Sequence, residues 1–311
     1  MGKFKKMSKA ALDKQVEDRM KETILPIVEK LEAIAARKAK AGQWKTPWIM
    51  SASSQMPVNF TGKAYAGLVN SLSLMLAQEN HGYKSNKWVT YNRAKQMGLK
   101  ITNPKEYCWV FYNDKKSFTK ENEAGEKEVV NYWFYKSDHV YNLSNTDAVI
   151  PKVKPVKHNP DKRIKEIDQF AANTGAVINE KDQGKAFYSP SKDAITLPKF
   201  KQFDSAACFA QTKLHELVHW TGHENRENRL RKGMTFGSDE YAFEELVAEL
   251  GSTVCLFSKG YAPCGLQHEE YILSWLKALK DNPKFLFKAG AKATRAIAYL
   301  DSLQKAETKA A

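Results

Sequence analysis

The sequence predicts an α+β fold in two parts, a small N-terminal α+β domain and a mostly helical C-terminal domain. Aromatic, strand-like runs lie at Tyr107–Tyr112 and Tyr132–Tyr135 in the first half. Residues 151–160 hold three prolines and three lysines, which is typical of a linker. Beyond it, long segments repeat apolar residues at helical spacing. We therefore predict domains at residues 1–150 and 164–311, joined by a linker at 151–163.

The N-terminal part begins with a long amphipathic helix, predicted over residues 10–40. Pro26 lies inside that pattern and is expected to kink the helix, because proline lacks the N–H that an interior helical turn needs. A short helix is predicted over Leu68–Ala77. The two aromatic strands follow, and a charged loop is predicted between them over Asp114–Glu128.

One segment of the N-terminal part interleaves aromatic rings with cations. Rings stack on unpaired bases and cations pair with phosphates, so this pattern is typical of a surface that binds single-stranded DNA. The alternative is that the rings form the domain's own core, which we favour for Trp109, Phe111, Trp133 and Phe134. The residues predicted to bind DNA are Trp44, Lys45, Trp48, Lys63, Tyr65, Lys87, Trp88, Tyr91, Arg93 and Lys95.

The C-terminal part is predicted to start with a helix that ends near Phe170–Thr174. A hairpin over Lys185–Pro198 follows, and its Ala194–Leu197 arm is predicted to be a sheet edge beside the next helix. Two helices come last, one over Tyr271–Lys280 and one that starts at Pro283, a residue favoured at the first helical turn.

The segment His215-Glu216-Leu217-Val218-His219 predicts a metal site. On an α-helix, residues i and i+4 share one face, so the two imidazoles can bind a single zinc ion. Glu216 lies beside them, where its carboxylate can take a proton from water at the metal. Two surface histidines on an ordinary helix are the alternative. The largely apolar residues 206–210 favour a buried helix instead, so we predict His215 and His219 as ligands and Glu216 as the base.

A third ligand is predicted on a second helix, around residues 243–250, where apolar residues recur at helical spacing. Glu245 is the favoured ligand, and Glu244 and Glu249 are alternatives or groups that orient a histidine. A solvated acidic face is the other interpretation, because glutamate is a good helix former. His223, eight residues after His215, is either an alternative ligand or a hydrogen-bond donor beside the metal.

The composition indicates which kind of partner and which cellular compartment to expect. The net charge of +14 favours an anionic partner such as nucleic acid, although lysine-rich surfaces also serve solubility. No apolar run approaches the roughly 20 residues of a membrane span, and the basic N-terminus lacks the apolar core of a secretory signal. The four cysteines are scattered, and Cys208 and Cys255 are predicted to be small core residues. A cytoplasmic protein, in a reducing compartment and without membrane contact, is expected.

Taken in order, these segments resemble the ArdC-type antirestriction proteins of plasmids and phages. The resemblance runs from about residue 15 to residue 301, and its most specific parts are the segments 186–190, 215–223 and 241–251. It implies an N-terminal domain that binds single-stranded DNA, followed by a zincin-like metallopeptidase domain. The implied role is to protect incoming DNA from host restriction. By position, His215, His219 and Glu245 would hold one Zn²⁺ or another divalent transition metal per chain, with Glu216 as the base.

Three functions are compatible with these features. In the first, the protein protects DNA by binding single strands, and duplexes more weakly, with a metal site that is peptidase-like. In the second, DNA binding delivers a true zinc protease to a protein substrate on the DNA. The third is a non-enzymatic protein with structural zinc, which is disfavoured because such a site has no need of Glu216.

Overall fold

The computed structural model confirms the α+β class and describes residues 9–41, 56–121, 127–150, 163–230, 234, 237–261, 264 and 271–304. Its helices are α1 (Lys9–Ala41), α2 (Leu68–Asn80), α3 (Tyr91–Gln96), α4 (Lys165–Asn173), α5 (Ala206–Thr221), α6 (Asp239–Ser258), α7 (Ile272–Asp281) and α8 (Lys284–Ser302). Its strands are β1 (Val58–Asn59), β2 (Lys87–Thr90), β3 (Cys108–Glu121), β4 (Lys127–Asn142), β5 (Val177–Lys181), β6 (Phe187–Ser189) and β7 (Ala194–Pro198). The predicted helices are all present among these.

The N-terminal strands form a four-stranded sheet in the order β1-β2-β4-β3. β3 and β4 make a long antiparallel hairpin that runs from the pair Cys108–Val140 to the pair Glu121–Lys127. The charged loop predicted over Asp114–Glu128 is therefore wrong, because most of it is strand. A charged sequence can still form strands, because residues of opposite charge stabilise an antiparallel pair when they lie opposite each other. Glu121 and Lys127 are such a pair.

Helices cover the two faces of this sheet. On one face, Leu74 of α2 packs against Trp88, Val110 and Val140. On the other, the Nη1 of Arg19 in α1 donates to the Ser137 hydroxyl at 2.8 Å, and the indole of Trp109 donates to Glu22 at 2.9 Å. Among the aromatics predicted for the core, Phe111 is buried and Trp109 is half-buried. The side chains of Trp133 and Phe134 lie outside the described part of the chain.

Helices from the two halves of the chain share one apolar core. α1 packs against α7 and α8, and α2 packs against α8 and α6. The rings of Phe111 and Phe287 meet edge to face with centroids 5.0 Å apart. Gly290 lets α8 approach α2 closely, since a Cβ there would lie 2.9 Å from a methyl carbon of Val69. Apart from residue 163, the predicted linker lies outside the described residues.

The C-terminal strands form a three-stranded sheet in the order β5-β7-β6. β5 is parallel to β7, and β6 is antiparallel to it, with Phe187 opposite Thr196 and Ser189 opposite Ala194. The predicted hairpin is confirmed, but the prediction of Ala194–Leu197 as a sheet edge is wrong. β7 is central because the sequence reading missed β5, and β6 is an edge of this sheet.

α5 and α6 approach each other closely beside this sheet. The contact occurs at Gly251 of α6, where a Cβ would lie 2.9 Å from a methyl carbon of Val218 on α5. Because real side chains almost never approach so closely, any larger residue at this position would push the helices apart. The glycine therefore brings the inward faces of α5 and α6 within reach of each other.

The cysteines differ from the prediction in one respect. Cys255 is a buried core residue, as expected. Cys208 is only half-buried and forms a disulfide with Cys264, with the Cα atoms 5.0 Å apart. A separation of 56 residues concealed this pairing, and the cysteine content no longer argues for a reducing compartment. Among the described residues, no helix has the length and apolarity that crossing a bilayer requires.

Candidate metal centre and nucleic-acid interface

α5 carries the two predicted histidines and is buried along almost its whole length. The hydroxyl of Ser205 caps its first turn by accepting the backbone N–H of Cys208 at 3.3 Å. His215 and His219 lie one turn apart on the inward face, and their Nε2 atoms are separated by 3.1 Å. The motif therefore directs two imidazole nitrogens at one point.

α6 brings the predicted third ligand to the same point. Ser238 caps this helix. Asp239 and Glu240 in its first turn stabilise it, because negative charges interact favourably with the positive N-terminal end of the helix dipole. The Oε2 atom of Glu245 lies 3.2 Å from Nε2 of His215 and 3.5 Å from Nε2 of His219. In the described part of the chain, these three side chains form the group whose ligand atoms converge as a metal ion would require.

The spacing of the three atoms fits a tetrahedral metal ion. Zinc binds imidazole nitrogen and carboxylate oxygen at about 2.0–2.2 Å, which places tetrahedral ligand atoms about 3.3 Å apart. The three observed separations of 3.1, 3.2 and 3.5 Å lie around that value. A cavity of about 220 Å³ lies beside them, lined by Glu216, Tyr241 and the β6 residues Phe187 and Tyr188 among others. A metal ion held by two imidazoles and one carboxylate would have room for water or a substrate as a further ligand.

Glu216 is buried at the wall of this cavity. Burial raises its pKa to about 7, against the opposing effects of the His219 charge and of a hydrogen bond from the Tyr188 backbone. A carboxyl group with a pKa near neutrality can both take up and release a proton under physiological conditions. Glu216 thus lines the same cavity as His219, and its role as the base stays a prediction.

Carboxylates dominate the electrostatics of the centre. Burial alone would raise the pKa of Glu245, but the His219 charge and hydrogen bonds from both imidazoles hold it below its ordinary range. Burial alone would lower the pKa of His219, but the Glu245 charge and hydrogen bonds to Glu244 and Glu245 hold it well above its ordinary value. The site thus favours positive charge at the place where the ligand atoms meet.

Glu244 lies on the far side of His219 from that place. Its Oε1 atom is 3.5 Å from Nδ1 of His219, and both of its oxygens accept from the buried guanidinium of Arg229, at 3.0 and 3.2 Å. Arg229 also donates to the backbone oxygen of Val218 at 2.6 Å and to the hydroxyl of Thr221 at 2.9 Å. Glu244 therefore orients His219 and is itself held by a residue that caps the end of α5.

The other two alternative ligands are placed differently. Glu249 is fully buried one turn beyond Glu245 on α6, and the convergent group does not contain it. His223 follows the end of α5, and its Nδ1 accepts the backbone N–H of Asn225 at 3.2 Å. Neither residue has a ligand atom in the group that His215, His219 and Glu245 form.

An ion pair fastens the β6–β7 hairpin to the end of α5. Arg226 donates to the Asp193 carboxylate at 3.0 Å, to the Tyr188 hydroxyl at 3.1 Å and to the backbone oxygen of Trp220 at 2.6 Å. Its guanidinium also lies over the Trp220 ring, 3.9 Å from the centroid. These contacts hold the β6 edge beside Glu216.

The residues predicted to bind DNA are not equally available in the structure. Trp44, Lys45 and Trp48 lie outside the described residues. Five others are exposed and lie in the segment from the loop after β1 to α3: Lys63, Lys87, Tyr91, Arg93 and Lys95.

Trp88 and Tyr65 are less accessible than the sequence reading expected. Trp88 is 1% exposed, packs against Leu74, and donates its indole N–H to Gln78 at 3.4 Å. Its alternation within β2 turns the ring inward, so the prediction of an exposed stacking ring at Trp88 is wrong. Tyr65 is half-buried, and its hydroxyl donates to the backbone oxygen of Trp88 at 3.4 Å.

A recess of about 420 Å³ opens on the sheet face next to α2. Tyr65, Trp88 and Arg93 line it together with residues of β3 and β4. We call this cavity the sheet-face recess. Three of the predicted DNA-binding residues are thus brought to one place, while Tyr91 and Lys95 lie on α3 outside its lining.

Comparison with known proteins matches both halves of the chain. Residues 15–141 match the model of the N-terminal domain of anti-restriction factor ArdC, and residues 165–292 match a zincin-like metallopeptidase model. The metal-free crystal structure of the antirestriction ArdC protein from plasmid R388 superposes with a TM-score of 0.66 at 32% identity, covering 88% of this chain and 96% of that one. The chain belongs to the ArdC family of antirestriction proteins.

Other relatives extend this family assignment. The Mn(II)-bound structure of the R388 ArdC protein matches with a TM-score of 0.64 at 31% identity, over 88% of this chain and 96% of that one. An uncharacterized protein, y4eC of Sinorhizobium fredii, is 30% identical over 92% of this chain and 95% of its own length. DNA primase TraC of Escherichia coli is 31% identical over 91% of this chain, yet the chain spans only 20% of that primase.

Some residues around His215, His219 and Glu245 were not predicted from the sequence. Tyr241 lines the cavity, and its hydroxyl hydrogen-bonds to Glu245. Its position four residues before Glu245, on the same helical face, was a signal that could have identified it. Arg229 and Tyr188 act through contacts that no local spacing reveals.

Proposed function

We propose that this chain is a single-stranded-DNA-binding antirestriction protein of a plasmid or phage, with a peptidase-like metal centre. Its role is to protect incoming DNA from restriction in the cytoplasm of the host cell. The observation that carries the metal part is the convergence of Nε2 of His215, Nε2 of His219 and Oε2 of Glu245 within 3.5 Å of one another. Membership of the ArdC family supports the antirestriction part.

The centre is proposed to hold one Zn²⁺ ion on His215, His219 and Glu245, with another divalent transition metal as the alternative. Two imidazoles and a carboxylate suit both zinc and manganese, and the R388 relative has been crystallised with Mn(II). When bound, such an ion supplies Lewis-acid activation of water and of a carbonyl group. Glu244, itself held by Arg229, orients His219 and thereby preorganises the ligand set.

The side chains around the cavity suit peptide hydrolysis. Glu216 is the base, because its carboxyl group stands in the wall of the cavity that His219 and Glu245 also line. Tyr241 lines the same cavity, where burial raises the pKa of its hydroxyl, which stays protonated and hydrogen-bonds to the Glu245 carboxylate. The β6 edge can pair with an extended peptide, because edge strands present unpaired backbone groups.

The DNA-binding surface is proposed to lie on the N-terminal half. Lys63, Lys87, Arg93 and Lys95 are exposed there, and the net charge of +14 favours a polyanion. Single strands are proposed to bind more tightly than duplexes, since Tyr91 is 52% exposed and can stack on an unpaired base.

A second candidate function is a DNA-targeted protease that cleaves proteins bound to DNA. The Glu216 carboxylate favours it, because it stands in the wall of a cavity that also contains the β6 edge. A non-catalytic single-strand-binding protein with zinc is the third candidate. The three differ in what they require of Glu216.

Glu216→Gln separates these candidates, with Glu224→Gln, an exposed residue just beyond α5, as the matched control. Three quantities are measured for each: protection of transferred DNA in a restricting host, affinity for single-stranded DNA, and peptide hydrolysis. Glu216→Gln should leave DNA affinity unchanged and lower any hydrolysis by about 10²–10⁴-fold. Protection that survives in this variant rules out the protease candidate. Protection that is lost although DNA affinity is intact rules out protection by DNA binding alone.

A further inference from the structure

The sheet-face recess combines an apolar floor with charged residues at its rim. Trp88, Val110 and Val140 are buried at its floor. Asp138 lines it as well, since it pairs with Val110 across the β3–β4 ladder and so shares the face of that residue. Its volume of about 420 Å³ falls in the range of roughly 300–1,000 Å³ that is typical of small-ligand sites.

The loop at the mouth of the recess is preorganised. The side-chain oxygen of Asn59 accepts three hydrogen bonds: from the Thr61 N–H at 3.0 Å, the Thr61 hydroxyl at 2.7 Å and the Lys63 N–H at 2.9 Å. Gly62 provides the left-handed conformation that this turn needs, with φ of 87°. A ligand that enters beside Thr61 therefore meets a loop that is already ordered, which lowers the entropic cost of binding.

One cation and one carboxylate line the recess, Arg93 and Asp138, and both residues are exposed. Arg93 is exposed, and its guanidinium lies 5.0 Å from the centroid of the Phe60 ring. Lys63 is exposed on the ordered loop. Arg93 and Lys63 attract phosphates to the rim, whereas the buried apolar residues of the floor suit an uncharged ring. An occupant with a flat, neutral, partly apolar group inside and phosphates outside matches this arrangement.

We infer that the sheet-face recess receives one unpaired nucleobase of single-stranded DNA, while the flanking phosphates lie against Arg93 and Lys63. This inference rests on the proposed binding of single-stranded DNA and names the part of the strand that is recognised. The bases of a duplex are stacked and paired, and turning one outward costs a few kcal/mol. The recess therefore accounts for a preference for single strands that surface cations alone do not create.

The test fills the recess without changing any charge. Ala66 is exposed and lines the recess, so Ala66→Leu places a larger side chain at its mouth. Ala64→Leu is the matched control, because Ala64 is equally exposed on the same segment and is not part of the lining. Affinity is measured by fluorescence anisotropy for a 15-nucleotide oligodeoxycytidylate and for a strand of equal length that consists of abasic sites.

Ala66→Leu is expected to weaken binding of the base-containing strand about tenfold, which is the effect of losing one well-held base. It should leave the affinity for the abasic strand unchanged, and Ala64→Leu should change neither. If Ala66→Leu lost the same factor of affinity for both strands, or lost affinity for neither, the inference would be overturned.

A second pair of variants covers the case in which Ala66→Leu does not fold. Arg93 and Lys95 are both exposed cations on α3, but Arg93 alone of the two lines the recess. Lys95→Ala should lower the affinity for both strands by the same factor. Arg93→Ala should weaken the base-containing strand several-fold more than the abasic one, and equal factors would refute the inference. Wild type that binds neither strand would instead contradict the proposed function itself.

Discussion

The metal centre and the sheet-face recess differ in how their chemistry is held in place. His215, His219 and Glu245 are nearly inaccessible to solvent, and Glu244 and Arg229 support them through a hydrogen-bonded network. The cations around the recess are exposed and separate. Buried charges interact strongly and tolerate little change, whereas exposed charges contribute small and nearly additive amounts. Substitutions in the two regions should therefore differ in size and in what they disturb.

The largest effect is expected for Glu245→Ala, which removes one ligand from the convergent group. Metal affinity should fall by more than about 100-fold, since even residues that only orient a ligand contribute 10–100-fold. The measurement is zinc affinity by competition with a chromophoric chelator. Glu240→Ala, at an exposed position on the same helix, is the control and should keep wild-type affinity.

Affinity for single-stranded DNA should not change in Glu245→Ala. If loss of this carboxylate weakened DNA binding as much as it weakened metal binding, the two regions would not be independent.

An intermediate effect is expected for Arg229→Met, because it leaves the Glu244 carboxylate buried without its guanidinium partner. The free energy of unfolding should fall by about 3–5 kcal/mol, as measured by urea denaturation of the metal-free protein. In the double variant Arg229→Met/Glu244→Leu, much of that stability should return, since both charges are then absent.

The same double variant should still bind metal about 10–100-fold more weakly than wild type, because nothing orients His219. Recovery of both stability and metal affinity would mean that Glu244 serves packing and not the orientation of His219.

The smallest effect is expected for Lys63→Ala. Loss of one exposed cation should lower the affinity for single-stranded DNA a few-fold at low salt and reduce the slope of log affinity against log salt by about 0.7. The measurement is a salt titration by anisotropy. Lys181→Ala, an exposed lysine on β5 in the other half of the chain, is the control. An unchanged slope for Lys63→Ala would remove this residue from the interface.

The sequence predicted the convergence of the candidate ligands better than the exposure of the candidate DNA-binding residues, and the reason is physical. His215, Glu216 and His219 are related by one helical turn, so their proximity follows from local geometry. Glu245 needed a second helix, but its position on the inward face could still be read from the apolar spacing around it. Arg229 and Tyr188 enter through tertiary contacts that neither spacing nor composition encodes.

For the N-terminal half, residue type alone was a weaker guide. Trp88 looked like a stacking residue because lysine precedes it, yet β2 turns its ring into the core. The missed strand β5 likewise moved the sheet edge from β7 to β6. Cys208 and Cys264 are joined across 56 residues. In each case pairing between distant segments decided the outcome.

Anomalous diffraction at the zinc absorption edge, from crystals of the wild-type protein grown with zinc, locates the bound ion. One strong peak is expected within about 2.0–2.2 Å of Nε2 of His215, Nε2 of His219 and a carboxylate oxygen of Glu245, with Glu216 beside it and outside the ligand set. A fully occupied ion bound elsewhere, or these three side chains turned away from one another around no peak, would contradict this ligand set.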